Sequence, residues 1–307
     1  SSIRNHKYFT VVFTLIQIEL YKIFRKPRTY IGFVAIAVIV GLIQLALKAD
    51  GQTWLKLMFS GMDDMFAIQD GNVLNGYFVC FLVLNTLLIQ VPLLVALVTG
   101  DMVAGEANLG TLRLLLTKPI SRSEVMLAKF SAGLIYTFVL LFWMAILALF
   151  LSMAMFGTSD LLVNKSYAII QFYVDAEGDD VFWRYIVAFG FAYAALATVA
   201  ALSFMLSVFA ENSIGPIVTT MSIILVCTII STMDLPLFTK VNPFLFTSYM
   251  TSWKGMFNMA VDENGAAIRG SVYSINAMVQ AMGVLVGHIV LFFGVALYAF
   301  KKKDILS

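Results

Sequence analysis

Six long stretches of this chain contain no charged residue, and shorter segments between them carry the charges. The stretches are Thr29–Leu47, Tyr77–Thr99, Ser131–Phe156, Tyr185–Ala210, Asn212–Met233 and Ser271–Phe300, each of 19 residues or more. A helix needs about 20 apolar residues to cross the hydrocarbon core of a bilayer, which is about 30 Å thick. Backbone inside lipid must satisfy its own hydrogen bonds, so such stretches are helical. The pattern predicts an all-α integral membrane protein with six transmembrane helices in one domain, residues 1–307.

A further helix is predicted before the first span, over residues 8–26. Its apolar side chains recur at helical spacing and form one stripe, while polar and basic side chains occupy the other face. The stripe comprises Phe9, Val12, Phe13, Ile16, Leu20, Ile23 and Phe24. Pro27 disfavours continuation of this helix through Lys26. We therefore expect an elbow helix in the membrane interface, with its basic residues near lipid head groups. A plain extension of the first span is the alternative.

The segment between the second and third spans, residues 100–130, contains two helix signals. Ser121 and Glu124 match a capping box just after Pro119, which predicts the start of a helix that runs into the third span. Upstream, four leucines lie on one stripe and predict a short amphipathic helix parallel to the membrane: Leu109, Leu112, Leu115 and Leu116. Such a helix is suited to docking in a groove of a partner protein. A purely structural turn would show the same pattern.

The other long segments between spans, residues 48–76, 157–184 and 234–270, offer no specific chemistry. The acidic residues between Asp175 and Asp180 lack the ligand spacing of an EF-hand loop, so we expect no metal site there. The segment 234–270 contains two prolines and an apolar stretch that is too interrupted to span a membrane. We expect a short helical pair that lies at the interface or partly re-enters it, shielded from lipid by neighbouring spans.

Charge decides the orientation of the six spans. The chain is 61% hydrophobic and 12% charged, and a soluble domain carries about 25% charged residues. Residues 1–28, 100–130, 211 and 301–307 hold 13 basic and six acidic residues, a net charge of +7, whereas the opposite side has a net charge of −5. Basic loops stay in the cytoplasm. We therefore expect both termini and residues 100–130 to be cytoplasmic.

The residues that could carry other chemistry are few. Cys80 and Cys227 both lie inside spans, which excludes a disulfide framework and favours buried small side chains. No G-x-x-x-x-G-K-[ST] motif occurs, so the chain has no nucleotide site of this type. His288 is the one histidine in a span, and without an acidic partner it is more typical of a helix–helix hydrogen bond than of a proton route. These features disfavour a secondary transporter or channel and an intramembrane enzyme, which stay as the alternatives to the function described next.

The segment GEANLGTLRLLLTKPISRSEVMLAKF resembles the signature of the type-2 ABC transporter permease family. The matching positions are Glu106, Gly110, Thr111, Leu112, Leu115, Pro119, Ser121, Arg122 and Lys129. The six spans, the elbow helix and the short link between the fourth and fifth spans fit the same family. The resemblance implies that the helix in residues 100–130 is a coupling helix that contacts an ATP-binding subunit. Glu106 and Arg113 are suited to charge-assisted contacts with that subunit.

The resemblance also implies the assembly and the route of the cargo. The chain would be the permease subunit of an exporter in a prokaryotic plasma membrane. Its partners would be two copies of an ABC ATPase, a second permease copy or a related permease, and membrane lipids, but no nucleic acid. No cofactor is expected on this chain, because ATP and Mg²⁺ would be bound by the ATPase. The second and fifth spans would face the partner permease and the substrate path, which makes candidates of Asn85, Gln90, Thr220 and Thr228.

Overall fold

The structure is a computed structural model that describes residues 2–59, 74–112, 120–165, 168–172, 174, 178–233, 235–260, 262–263 and 268–303. The first half of the chain forms α1 (Ser2–Arg25), α2 (Pro27–Phe59), α3 (Gly76–Thr99), α4 (Asp101–Asn108) and α5 (Arg122–Ala145). A π-helix (Ile146–Leu151) and α6 (Ser152–Phe156) continue α5, followed by the strands β1 (Leu161–Lys165) and β2 (Ala168–Phe172).

The second half forms α7 (Phe182–Phe209), α8 (Ile214–Thr232), α9 (Pro236–Val241), α10 (Phe246–Tyr249) and α11 (Ile275–Lys302). Two 3₁₀ helices, Asn242–Phe244 and Ser252–Phe257, flank α10. Within the described residues, six helical segments are long and apolar enough to cross a membrane by length and composition. This confirms the predicted all-α integral membrane protein, although the helix ends differ from the charge-free stretches, since α2 continues to Phe59.

The fourth span, α7, is the central helix of the bundle. It packs against α3, α5, α8 and α11, and its buried residues include Ala194, Ala197, Ala200 and Ala201. Small side chains let helix backbones approach closely inside a membrane. The alanine content of this span therefore explains why the other helices gather around it.

The helix α1, predicted to be the elbow helix, packs along α5. Val12, Leu15 and Ile23 are buried, whereas Phe13, which belongs to the predicted apolar stripe, is exposed. The buried face is thus turned away from the centre of the predicted stripe. Thr29 donates its hydroxyl hydrogen to the Ile23 carbonyl (2.5 Å), which fixes the junction between α1 and α2.

The end of the bundle opposite α4 carries a β-hairpin that the sequence analysis did not predict. β1 pairs antiparallel with β2, with Leu161 opposite Phe172. Gly157, at a φ of 74°, ends α6 before the hairpin, and glycine adopts this left-handed conformation without steric cost. We call this end the hairpin side, and the end with α4 the loop side.

The chain between α8 and α11 enters the bundle from the hairpin side. The Phe246 ring, in α10, lies 5.8 Å from His288 and 6.1 Å from Phe292, measured between ring centroids. His288 is about 20 Å along α11 from its start at Ile275, at a rise of 1.5 Å per residue. The α10 turn therefore packs between α7, α8 and α11, about halfway along α11.

Candidate functional site: the ion-pair clusters of the loop side

Four charged side chains join α1, α4 and α5 on the loop side. Lys22 in α1 lies 2.7 Å from Glu19 of the same helix and 2.9 Å from Glu106 in α4. Lys129 in α5 lies 2.9 Å from Glu19 and 2.8 Å from Glu106. Each carboxylate is thus shared by two ammonium groups. We call these four residues the Glu106 cluster.

Burial makes the Glu106 cluster a strong constraint on the three helices. Lys129 is 1% exposed, and an isolated buried charge costs several kcal/mol unless it is paired and hydrogen-bonded. Burial alone would lower the pKa of Lys22, but its hydrogen bonds to Glu19 and Glu106 outweigh that effect and raise the pKa. The helices can separate only if these charges lose their partners.

A second cluster surrounds Asp101, the first residue of α4. One carboxylate oxygen accepts from Lys26 (2.9 Å) and contacts the Arg28 guanidinium. The other oxygen accepts from the Ser213 hydroxyl (2.5 Å), directly before α8. Asp101 therefore links the α1–α2 junction with the start of α8. A cavity of about 30 Å³ separates this Asp101 cluster from the Glu106 cluster, which leaves little room for a ligand.

Gly105 makes the room that the Asp101 carboxylate occupies. A Cβ atom at position 105 would overlap the Asp101 side chain one turn earlier on α4. Gly105→Ala is expected to displace that carboxylate and to cost about 1–3 kcal/mol of stability, the usual range for overpacking. Denaturant unfolding of both proteins in micelles measures the difference.

Gly190 provides the matched control for Gly105. It also lies inside a helix, but a Cβ there would meet no described atom within 4 Å. Gly190→Ala is expected to be neutral or stabilising, because alanine exceeds glycine in helix propensity by about 1 kcal/mol. Equal effects of the two substitutions would show that Gly105 has no special role.

The structure places the described members of the predicted coupling residues in different surroundings. Glu106 belongs to the cluster described above. Gly110 adopts a φ of 70°, and the Thr111 hydroxyl donates to the Glu106 carbonyl (3.3 Å), so both shape the turn after α4. Leu109 is 73% exposed, whereas Leu112 is 2% exposed and anchors the turn to the core. The remaining predicted contacts, Arg113, Leu115 and Pro119, lie outside the described residues.

Arg122 contacts the last span instead of projecting from the loop. Its guanidinium donates to the carbonyls of Phe300 (3.2 Å), Lys301 (3.1 Å) and Lys303 (2.7 Å) at the end of α11. The C-terminal carbonyls of a helix lack intrahelical donors and carry partial negative charge, so a guanidinium there is favourable. The predicted capping box is present, with the Ser121 side chain and Glu124 bonded reciprocally. The end of the loop is therefore attached to α11.

Comparison with known proteins identifies the family of the chain. The family model described as ABC-2 family transporter protein matches residues 13–305. No curated protein matches the chain.

The chain belongs to the ABC-2 transporter family. It is therefore the permease component of a transporter and a multi-pass membrane protein, in agreement with its six apolar helices. Such permeases are in general not catalytic, and they associate with an ABC ATPase. The resemblance found in residues 105–130 is confirmed over nearly the whole chain.

The permease places the four predicted substrate-path residues differently. Asn85 and Gln90 are exposed on α3, and Thr228 is exposed on α8. Thr220 is buried and donates its hydroxyl hydrogen to the Pro216 carbonyl of its own helix (2.6 Å). An amide exposed on a membrane span requires cover by protein or water, because lipid offers no hydrogen bond. Asn85, Gln90 and Thr228 therefore stay as candidates, whereas the Thr220 hydroxyl is already engaged.

The hairpin side of the permease holds a polar centre that sequence reasoning missed. Arg184 near the start of α7 is 0% exposed and donates to the carbonyls of Met256 (2.6 Å) and Ser271 (2.8 Å). Its guanidinium also pairs with the Asp180 carboxylate at 3.1 Å. Arg184 thus fastens the chain after α10 to α7. The available signal was an arginine and an aspartate four residues apart just before a charge-free stretch.

Proposed function

We propose that this chain is the permease subunit of an ABC exporter and that a separate ATPase chain drives it through residues 100–130. The Glu106 cluster carries the proposal. Through its buried charges, this cluster joins α4, the helix that leads into the loop, to both α1 and α5. A displacement of the loop would therefore be delivered to the spans rather than absorbed by a flexible linker. Rigid helices joined by salt bridges are among the elements that carry coupling between distant sites.

The proposed orientation places the loop side in the cytoplasm of a prokaryotic cell. The loop side carries a net charge of +7 and the hairpin side −5, in the direction of the positive-inside rule. Both termini would be cytoplasmic, where an ATPase has access to ATP.

The proposed docking surface is the turn after α4. Asn108, Leu109, Gly110 and Thr111 are exposed there, and Leu112 fixes the turn from beneath. Glu106 supports this surface from inside the protein, since both of its carboxylate oxygens lie within 2.9 Å of lysine ammonium groups. Arg113, Leu115 and Pro119 are proposed to extend the same surface.

The proposed assembly contains two ATPase subunits and a second permease, identical or related. ATP and Mg²⁺ would be held by the ATPase subunits, because this chain lacks a phosphate-binding loop. Asn85, Gln90 and Thr228 would be covered by the second permease or would line the path between the two. A path without ionised groups suits lipid-like or amphipathic cargo.

Leu109→Glu tests the docking surface. Leu109 is exposed, so the substitution is expected to leave folding and membrane insertion unchanged. A carboxylate in the centre of an apolar contact is expected to weaken ATPase binding by at least tenfold, since interface hot spots contribute about 2 kcal/mol or more. Co-purification of the ATPase with the tagged permease in mild detergent gives the readout.

Ile214→Glu is the matched control for Leu109→Glu. Ile214 is 72% exposed on the same side of the chain but lies outside the loop, at the start of α8. It is expected to retain the ATPase. Undiminished co-purification with Leu109→Glu would rule out this turn as the docking surface.

A further inference from the structure

The fifth span, α8, is held at the edge of the bundle by few internal contacts. Of its residues Ile214–Thr232, only Pro216 and Thr220 are buried. Large apolar side chains along it, such as Val218, Leu225 and Ile229, are exposed. The helix contacts α3, α4, α7 and α10, so the attachment of its first turn to α4 contributes to its position.

The residue before α8 does not cap its own helix. A serine at this position normally accepts from the first backbone N–H groups of its helix, but the Ser213 side chain makes no such bond. The Ser213 hydroxyl donates to Asp101 in α4 at 2.5 Å instead. The Asn212 side chain takes over the capping role and accepts from the Gly215 N–H at 2.9 Å. The local sequence thus leaves the serine available for a contact between helices.

The Asp101 carboxylate is held in place by contacts to both of its oxygens. It is buried, its second oxygen is bound by Lys26 and Arg28, and Gly105 leaves room for it. The start of α4 is attached to α7 in addition, because the Ser207 hydroxyl oxygen accepts from the backbone N–H groups of Val103 (3.1 Å) and Ala104 (2.8 Å). The helix α4 therefore stands between the core of the bundle and its most exposed span.

We propose that Asp101 is a positioning residue that transmits displacement of α4 to α8 through the Ser213 hydroxyl. The proposal rests on the proposed function, in which an ATPase moves the loop that follows α4. When α4 shifts, its buried carboxylate carries Ser213 and the first turn of α8 with it. The span α8 then moves relative to α7, against which it packs. Asp101 thereby links the ATPase side to a span that carries Thr228, a candidate for the substrate path.

The first test uses the permease alone in lipid nanodiscs. Hydrogen exchange of the backbone amides in residues 212–218, where the Gly215 N–H is bonded to the Asn212 side chain and Pro216 has no N–H, reports local opening of the first turn of α8. Ser213→Ala is expected to speed this exchange by roughly tenfold or more, because a hydrogen bond to a charged group is lost. Ser213→Thr keeps a hydroxyl and is expected to restore slow exchange.

Ser203→Ala is the control for the loss of a buried serine. The Ser203 hydroxyl donates to the Ala96 carbonyl at 3.1 Å, between α7 and α3. It is expected to leave exchange in residues 212–218 unchanged. Adding Ser213→Ala to Asp101→Asn is expected to change exchange in residues 212–218 little further, since both substitutions weaken the bond between Asp101 and Ser213.

The second test measures whether a displacement of α4 reaches the first turn of α8. A bond with a purely structural role would not change this readout. In the complex with the ATPase, addition of a non-hydrolysable ATP analogue is expected to change exchange both in residues 101–112 and in residues 212–218. With Ser213→Ala, the change in residues 101–112 is expected to persist and the change in residues 212–218 to disappear. Ser213→Thr is expected to keep both changes.

The outcomes separate this proposal from the proposed function. If the nucleotide changes residues 212–218 equally with and without the serine hydroxyl, Asp101 does not transmit. The same conclusion follows if Ser213→Ala leaves exchange of residues 212–218 unchanged in the permease alone. If no ATPase binds the wild-type permease, the proposed function fails, whatever the first test shows.

Discussion

Lys129→Met is expected to lower the free energy of unfolding by about 3–5 kcal/mol, the usual cost of breaking a buried ion pair from one side. Lys129 is almost completely buried, and its ammonium group lies within 2.9 Å of both Glu19 and Glu106. Without it, two largely buried carboxylates share the single half-exposed ammonium group of Lys22. Unfolding by sodium dodecyl sulfate in mixed micelles, followed by tryptophan fluorescence, measures the loss.

Neutralising the facing acid should recover part of that loss. The double variant Glu106→Gln with Lys129→Met keeps similar side-chain volumes and removes one unpaired charge, so it is expected to be more stable than Lys129→Met alone. Lys301→Met, at an exposed lysine on the same side, is expected to change stability by no more than about 0.5 kcal/mol. A Lys129 variant as stable as the Lys301 variant would show that the Glu106 cluster does not hold the helices together.

Arg184→Ala is expected to release the chain after α10 from α7 and to cost a similar amount, about 3–5 kcal/mol. The substitution leaves the buried Asp180 carboxylate without its guanidinium partner and removes the donor to the Met256 and Ser271 carbonyls. Buried acceptors left without a donor carry their full desolvation cost. Limited proteolysis from the hairpin side is expected to cut within residues 235–260 much faster than in the wild type.

Arg184→Lys separates charge from geometry at this site. An ammonium group keeps the positive charge beside Asp180 but lacks the planar set of donors that reaches several acceptors at once. Its stability and protease resistance are expected to lie between those of the wild type and Arg184→Ala. Wild-type resistance in Arg184→Ala would mean that the apolar contacts of Trp253 and Phe257 hold this segment by themselves.

The six spans were predictable because the absence of charge over about 20 residues is a local property of the chain. The capping box at Ser121 was predictable for the same reason, since it depends on residues a few positions apart. The β-hairpin was missed, although the residues of β2 are rich in the β-branched and aromatic types that favour strands. The search for charge-free stretches of membrane length passes over strands of five residues.

Partners at long range were not predictable. Glu19 lies outside the predicted apolar stripe of α1, yet it is buried on the same face as Val12 and Leu15, and nothing near it in sequence indicates its partner in α5. That partner, Lys129, lies more than one hundred residues away in sequence. Arg122 is similar, because the resemblance placed it among the residues that couple to the ATPase, while its acceptors belong to the end of α11.

In the part of the chain that the structure describes, small residues at helical spacing are packed against a neighbour in one span and not in another. The alanines of α7 are buried at the centre of the bundle, where small side chains let helices pack closely. Gly283 and Gly287 of α11 have the same spacing, yet a Cβ at either position would meet no atom of the described chain within 4 Å. Sequence shows that a helix face is small, but not whether a neighbour occupies it.

The most direct test of the account is to find what the turn after α4 touches in the cell. A photo-crosslinking amino acid in place of Leu109, activated in intact cells, should capture a chain whose tryptic peptides include a phosphate-binding loop of an ABC ATPase. The same residue placed at Ile214 should not capture it. If the Leu109 position captures no nucleotide-binding chain, or is modified by reagents that cannot cross the membrane from outside, then the turn after α4 is not the point at which an ATPase drives this permease.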